Sequence, residues 1–306
     1  MTVKIDHLAT EQRNPSTMNL DELTPLEVVT RMNQEDAKAV VAVQQKLEEI
    51  ARAVVLITEQ LRKGGRSIYF GAGTSGRLGV IDASECPPTF STVNEFIGII
   101  AGGDGALRTA VEGAEDTPSL AVKDLKALQL GATDVAIGIS ASGRTPYVIG
   151  GLYYAREVGA KTISVACNAD SEIGKLADVA IDVETGPEVL AGSTRLKAGS
   201  AQKMILNMLS TTAMVGIGKV YGNLMVDLHP SNLKLIERAK KIIMQVGECD
   251  YDTASQALRE ANFKVKTAIV MIKCNCSKVE AEDRLSVGVG FIRMAIQEGN
   301  FRTDDR

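Results

Sequence analysis

A chain of 306 residues is long enough for a sizeable core and one to two domains. Its formal net charge of −4 argues against a polyanionic partner, and an aromatic fraction of 4% with no Trp argues against a base-stacking nucleic-acid surface. No apolar run approaches the length of a membrane span, and "MTVKIDHLATEQRNP" lacks the apolar core of a signal peptide, so the expected compartment is the cytoplasm.

In chain order, residues 1 to about 23 are polar and aperiodic and read as an arm. A helix is expected to start at "TPLE": Thr24 can cap, Pro25 suits the first helical position, and Glu27 completes a capping box. Helical periodicity resumes through "AKAVVAVQQKLEEIARAVVLITEQLRK" and stops at Gly64 and Gly65. Five short apolar runs follow: "SIYFG", "EFIGIIAG", "DVAIGIS", "KTISVAC" and "VAIDVE". Alternation of such runs with helical stretches predicts a parallel sheet covered on both faces. A long helix is expected from about Leu196 to Tyr221, and the remainder after "DLHPSN" reads as helical, with no clear strand pattern. The expected domains are an N-terminal arm and helix over 1–45, an α/β domain over 46–222 and a helical domain over 223–306. Among five cysteines only Cys274 and Cys276 lie close together, and a zinc site there would need two more ligands, from the distant His7 and His229. Reduced thiols and no metal are expected.

Gly71, Gly73 and Gly76 spell G-x-G-x-x-G after a strand and before a helix. As a dinucleotide fingerprint this is weak, because the nearest acid at the expected distance, Glu95, precedes the second apolar run and does not end it. A Walker loop is excluded, since no Gly-Lys-Ser/Thr follows. A second loop, "GISASGRTPY", supplies Ser140, Ser142, Gly143 and Thr145 at another helix start. In a parallel sheet both loops face one crevice, and their N–H groups, helix dipoles and hydroxyls would surround one anion. Such a pair suits a phosphomonoester on a small molecule. Ser, Thr and Gly also favour caps and turns, which explains either loop alone but less readily both.

The two loops resemble the sugar isomerase (SIS) domain. "GPEVLAGSTRLKAGSAQK", Gly186 through Lys203, resembles the segment shared by glucokinase regulatory protein and the N-acetylmuramic acid 6-phosphate etherases. "TEQRNP", "GAGTSGRLGVIDASECPPTF", "GGDGALRTAVEGAEDT" and "NLMVDLHPSN" resemble the etherase family, over nearly the whole chain. The resemblance implies a three-layer α-β-α sandwich around a five-stranded parallel sheet, with a helical arm before it and a small helical domain after it. It implies cleavage of the D-lactyl ether at C3 of the phosphosugar, by elimination of lactate and re-addition of water. It implies a homodimer, no cofactor, and substrate contacts from Gly73, Thr74, Ser75, Gly76, Ser140, Ser142, Gly143, Thr145, Glu188 and Ser193. A phosphosugar isomerase and a non-catalytic sugar-phosphate sensor are the competing readings.

Elimination needs one group that accepts a proton and one that donates it. Glu85 shares a helical face with Leu78, Ile81 and Asp82. Pro87 and Pro88 are expected to end that helix, and with Cys86 and Phe90 to form an apolar setting that favours the neutral acid. Glu85 is thus the expected donor to the departing oxygen, although a helix-end surface acid would look the same. The resemblance gives Glu115, in "GAEDT", the second catalytic role, read as the base at C2; as a plain structural residue it would favour the following helix dipole. Glu188 resembles a base-bearing position of aminosugar phosphate isomerases. Asp82 and Asp116 are expected to cap or to pair with Arg77 or Arg108, while Arg77 and Arg144 stand near the phosphate loops.

Overall fold

The computed structural model describes residues 8–228, 230 and 232–297; His7 and His229 lie outside them. Thr24 forms the expected capping box with Glu27 and opens α1 (Pro25–Gln44). Gln45 and Lys46 interrupt what reads in sequence as one helical run, and α2 (Leu47–Arg62) follows.

The five apolar runs form β1 (Ser67–Gly71), β2 (Phe96–Ile100), β3 (Val135–Ser140), β4 (Lys161–Ala166) and β5 (Val179–Asp182). All pair in parallel, in the order β2-β1-β3-β4-β5. Between them run α3 (Gly73–Phe90), α4 (Pro118–Ala127) and α5 (Pro146–Glu157). Successive side chains of β1 serve opposite faces. Ile68 and Phe70 pack with Leu125 of α4 and with Val148 and Leu152 of α5. Tyr69 faces the other way, and its hydroxyl donates to Asp82 of α3 at 3.2 Å. Helices on both faces make the sheet the middle layer of an α-β-α sandwich.

After β5 comes α6 (Lys197–Gly216). The expected extension to Tyr221 fails: Gly218, at φ +80, ends the helix, and β6 (Val220–Tyr221) pairs with β7 (Leu224–Met225) as a small antiparallel hairpin. Pairs of residues are too short to register as a strand pattern in sequence. The remainder is helical: α7 (Leu233–Gly247), α8 (Tyr251–Glu260), α9 (Val265–Cys274), α10 (Lys278–Val287) and α11 (Ile292–Gln297). Asn232 caps α7, Asp250 caps α8, and Ser277 with Glu280 forms a capping box on α10. Ile242, Ile243, Leu258, Ile269 and Ile292 are core residues of this helical part.

Packing divides the chain into two compact units, Met1–Ser84 with Asn94–Ser210, and Glu85–Val93 with Thr211–Arg306. Among the described residues no helix is long and apolar enough to cross a membrane. One expectation is corrected in α3, which runs through Pro87 and Pro88 to Phe90. Proline removes an N–H donor and strands the carbonyl four residues back. Pro87 and Pro88 thus leave the Ala83 and Ser84 carbonyls without their helical N–H donors, while beyond them the last turn holds: the Thr89 hydroxyl bonds the Glu85 carbonyl at 2.8 Å, and Ser91 N–H bonds the Pro87 carbonyl at 2.9 Å. Ser91 then turns the chain at φ +51.

A buried ion pair secures α1 to the start of α6. Lys197 Nζ lies 2.7 Å from Glu35 Oε2 and also donates to the Pro187 carbonyl at 2.9 Å; Lys197 is 2% exposed and Glu35 4%. Burial pushes the Glu35 carboxyl up, but hydrogen bonds and charge from Lys197 and Lys38 outweigh it and hold the carboxyl at about 2. A depressed carboxyl adds stability fully above its unfolded value of about 4.3 and loses it as pH falls through the folded value. Lys197→Met removes the buried cation of the pair and leaves Glu35 only the exposed Lys38; it should cost about 3 kcal/mol by urea denaturation at pH 7, with most of the loss recovered in Glu35→Leu/Lys197→Met. The gap from wild type should narrow as pH falls below about 4. A single variant within about 1 kcal/mol of wild type would contradict this role.

Candidate active site

The chain passes from β1 to β2 on one side, then returns to β3 on the other side of β1. Connections leaving the carboxyl ends of β1 and β3 therefore diverge and leave a crevice, the usual ligand position in an open α/β sheet.

The β1 connection is almost wholly glycine, alanine, serine and threonine, and α3 begins within it at Gly73, whose φ is +53. Its tightness is steric. A Cβ on Gly76 would lie 2.6 Å from the Gly71 carbonyl oxygen and 2.7 Å from Ile100 Cγ1, so only glycine lets α3 start this close to the sheet. Thr74 is half-buried, and the buried Ser75 donates its hydroxyl to Gln202 Oε1 at 2.9 Å.

The β3 connection gathers three hydroxyls. Ser140 Oγ lies 2.7 Å from Thr145 Oγ1 and 3.3 Å from Ser142 Oγ, and it accepts from Gly143 N–H at 3.1 Å. Gly143 has φ +73, and a Cβ there would stand 2.4 Å from Ser171 Cβ. Thr145 is the residue before α5, yet its side chain makes no capping bond. The hydroxyls thus cluster beside a helix N-terminus whose first N–H groups they do not consume, a setting suited to an anion.

Glu115 lies after β2 in a single 3-10 turn, Ala114–Asp116, preceded by Gly113 at φ +73. It is exposed and lines a cleft of about 170 Å³ together with Gly73, Arg77, Val111 and Glu112. The structure therefore brings one expected catalytic residue to the same cleft as the glycine loop. Arg77 lines this cleft too, but its guanidinium donates to the carbonyls of Ala106 at 2.7 Å and Leu107 at 3.1 Å. It fixes the segment after β2 to α3. Asp82, expected to cap or to pair with Arg77 or Arg108, is buried and bonds Lys203 at 2.9 Å and the Tyr69 hydroxyl. Lys203 reaches it from α6, whose place could not be read from sequence.

Glu85 is exposed on α3, whereas its neighbours Cys86 and Phe90 are buried. The apolar setting expected around this carboxyl does not form about it, because helical spacing turns Cys86 and Phe90 away from it. Glu188 is 1% exposed, and its two oxygens accept from Lys197 N–H at 3.0 Å and Ala198 N–H at 2.9 Å. Burial pushes its pKa up, against those backbone hydrogen bonds and the Lys197 charge. Its position is that of a cap on α6. Ser193 is half-buried in the turn before α6, its N–H bonded to the Leu190 carbonyl at 3.0 Å.

Sequence reasoning missed the strap formed by the arm. Thr10 bonds Asn168, Asn14 donates to the Pro187 carbonyl at 3.2 Å, and the Thr17 hydroxyl donates to the Val189 carbonyl at 2.9 Å. Asn168 in turn donates to the Ala141 carbonyl at 3.1 Å, inside the hydroxyl loop. A cleft of about 420 Å³ beside it is lined by Ser142, Arg144, Asn168, Ser171 and Lys175. The polar composition of the arm gave no hint that its partners lie more than 150 residues away.

A model of the glucokinase regulatory protein N-terminal SIS domain matches residues 49–156, and a SIS domain model matches residues 118–212. An N-acetylmuramic acid 6-phosphate etherase of Geobacillus sp. (strain WCH70) is 57% identical over 294 residues, covering 96% of this chain and 100% of the relative. The etherase of Bacillus cytotoxicus is 55% identical over 95% of this chain and 100% of its own length. A phosphoheptose isomerase structure from Francisella tularensis aligns with a TM-score of 0.48 and 19% identity, over 62% of this chain and 98% of its own. With more than half its residues shared along the full length of such relatives, the chain belongs to the N-acetylmuramic acid 6-phosphate etherase family of SIS-domain proteins.

Proposed function

We propose that the protein is an N-acetylmuramic acid 6-phosphate etherase that releases D-lactate and leaves N-acetylglucosamine 6-phosphate, in the recycling of cell-wall amino sugars. The observation that carries this reading is full-length identity of 57% to an etherase, in a chain whose crevice is walled by a glycine loop and a cluster of three hydroxyls. The 6-phosphate is held by N–H groups of the first turns of α3 and α5 and by Ser75, Ser140, Ser142 and Thr145.

The reaction is of the lyase type. An ether at C3 is a poor leaving group, but the ring-opened sugar carries an aldehyde at C1 that acidifies the C2 proton. Glu115 removes that proton, the C3–O bond breaks, and lactate departs with a proton from Glu85. Water then adds at C3 of the unsaturated aldehyde, with Glu85 as its base and a proton returning to C2. General acid and base groups each contribute about 10²–10⁴ in rate. The place of Glu115 in the cleft with Gly73 supports its part. Glu85 rests on its position in α3 and on family likeness. A donor needs enclosure, which Glu85 lacks in the free chain, so in this reading the bound sugar helps supply it. The scheme uses no metal and no redox cofactor.

We assign the protein to the cytoplasm, where sugar phosphates are retained, and infer a homodimer. Leu26, Val29, Val40 and Val41 on α1 are each more than half exposed, an apolar surface that suits a second copy.

Removing a hydrogen bond to a charged group costs about 1.5–3 kcal/mol, so Ser142→Ala should raise KM about tenfold or more while kcat changes little. N-Acetylmuramic acid without its phosphate should be a poor substrate. Equal turnover of the two sugars, measured as lactate release, would refute the phosphate site.

The glutamates divide the chemistry, and their amides test the division. In deuterated water Glu115→Gln should abolish both C2 hydrogen exchange and lactate release. Glu85→Gln should block lactate release while C2 exchange continues slowly. Exchange at the wild-type rate in Glu115→Gln, followed by mass spectrometry, would remove Glu115 from the base role.

A further inference from the structure

One buried side chain behind the glycine loop has an unmet hydrogen bond. Gln202, on α6, is fully buried. Its Oε1 accepts the Ser75 hydroxyl at 2.9 Å, and its Nε2 has no hydrogen-bond partner among the described side-chain atoms. Unpaired buried donors are rare in folded proteins and costly to keep. The loop lies against the same helix: a Cβ on Gly199, one turn earlier in α6, would stand 3.4 Å from Thr74 Cγ2.

We propose that Gln202 is a positioning residue that readies Ser75 for the substrate phosphate, by exchanging which end of its carboxamide faces the serine. The inference rests on the phosphosugar reading of the crevice. A carboxamide is an acceptor at one end and a donor at the other, and a half-turn about its terminal bond swaps them at nearly constant volume. In the free chain Ser75 gives its proton to Oε1 and has none for a ligand. When an anion occupies the loop, the Ser75 hydroxyl donates to it, and Nε2 donates to the Ser75 oxygen. The idle donor gains a partner, and the hydroxyl that receives it becomes a stronger donor to the phosphate. The acceptor left over is the milder deficit, since under-satisfied carbonyl oxygens are commoner than orphaned N–H groups. A carboxylate can take only the first arrangement, and an apolar side chain neither.

Gln202→Met tests this, because methionine is unbranched, close in volume, and removes both amide atoms. The midpoint of thermal unfolding should stay within about 2 °C of wild type or rise. KM for N-acetylmuramic acid 6-phosphate should rise about five- to tenfold with kcat within about twofold. The same substitution in a Ser75→Ala background should change KM less than about twofold, because its effect passes through Ser75. Gln202→Glu, held as an acceptor, should raise KM further, and it carries the comparison if Gln202→Met fails to fold. An unchanged KM, or equal penalties with and without Ser75, would overturn the proposal. Inorganic phosphate supplies a readout independent of turnover, through the rise in unfolding temperature on binding. Weaker phosphate binding by Gln202→Met supports the role even if wild type releases no lactate, a result that would overturn only the etherase reading. Equal phosphate binding by variant and wild type overturns the role of Gln202, and no phosphate effect on wild type overturns both readings.

Discussion

The close approach of α3 to the sheet at Gly71 and Gly76 is the constraint on which the candidate site depends. No side chain fits between the two backbones, with a Cβ on Gly76 only 2.6 Å from the Gly71 carbonyl oxygen. The helix therefore opens directly over the end of β1, at the point where strand order reverses and a crevice must form. That placement sets the positive end of a helix dipole at the crevice, with a second helix start across the gap, a setting suited to an anion. Gly143 does for the hydroxyl loop what Gly76 does for the glycine loop, since a Cβ there would collide with Ser171.

Much of the polar machinery behind these loops belongs to α6 and works through long-range pairs. Glu188 satisfies two N–H groups at its start, Lys197 ties it to α1, Lys203 ties it to Asp82, and Gln202 meets Ser75. A buried ion pair adds little net stability against an apolar equivalent, but it penalises any arrangement that separates its members. The pairs thus fix where α6 lies against the glycine loop more than they strengthen the fold. That division suits a site in which hydroxyl orientation matters.

The legible parts of the sequence were local ones. All five strands were visible as apolar runs, because a parallel sheet covered on both faces buries both sides of each strand. The capping box at Thr24 was visible because its partners are three residues apart. Both connections were visible as glycine-rich and hydroxyl-rich stretches, because the tight backbone at Gly76 and Gly143 demands glycine. Their joint meaning came from topology. What escaped depends on distant partners: Lys197 with Glu35, 162 residues apart, Lys203 with Asp82, 121 apart, and Gln202 with Ser75, 127 apart. The run of α3 through Pro87 and Pro88 escaped for a different reason: the low helix propensity of proline predicts an end there, and the helix continues to Phe90 regardless. The exposure of Glu85 beside buried Cys86 and Phe90 likewise depended on which helical face met the core.

Turnover of N-acetylmuramic acid 6-phosphate in ¹⁸O water, followed by mass spectrometry of both products, tests the central claim most directly. Elimination and re-addition of water break the bond between C3 and the ether oxygen. The account predicts D-lactate without label and N-acetylglucosamine 6-phosphate with one solvent oxygen at C3. Label in the lactate and none at C3 would mean cleavage of the other C–O bond, and would contradict the elimination assigned to Glu115 and Glu85.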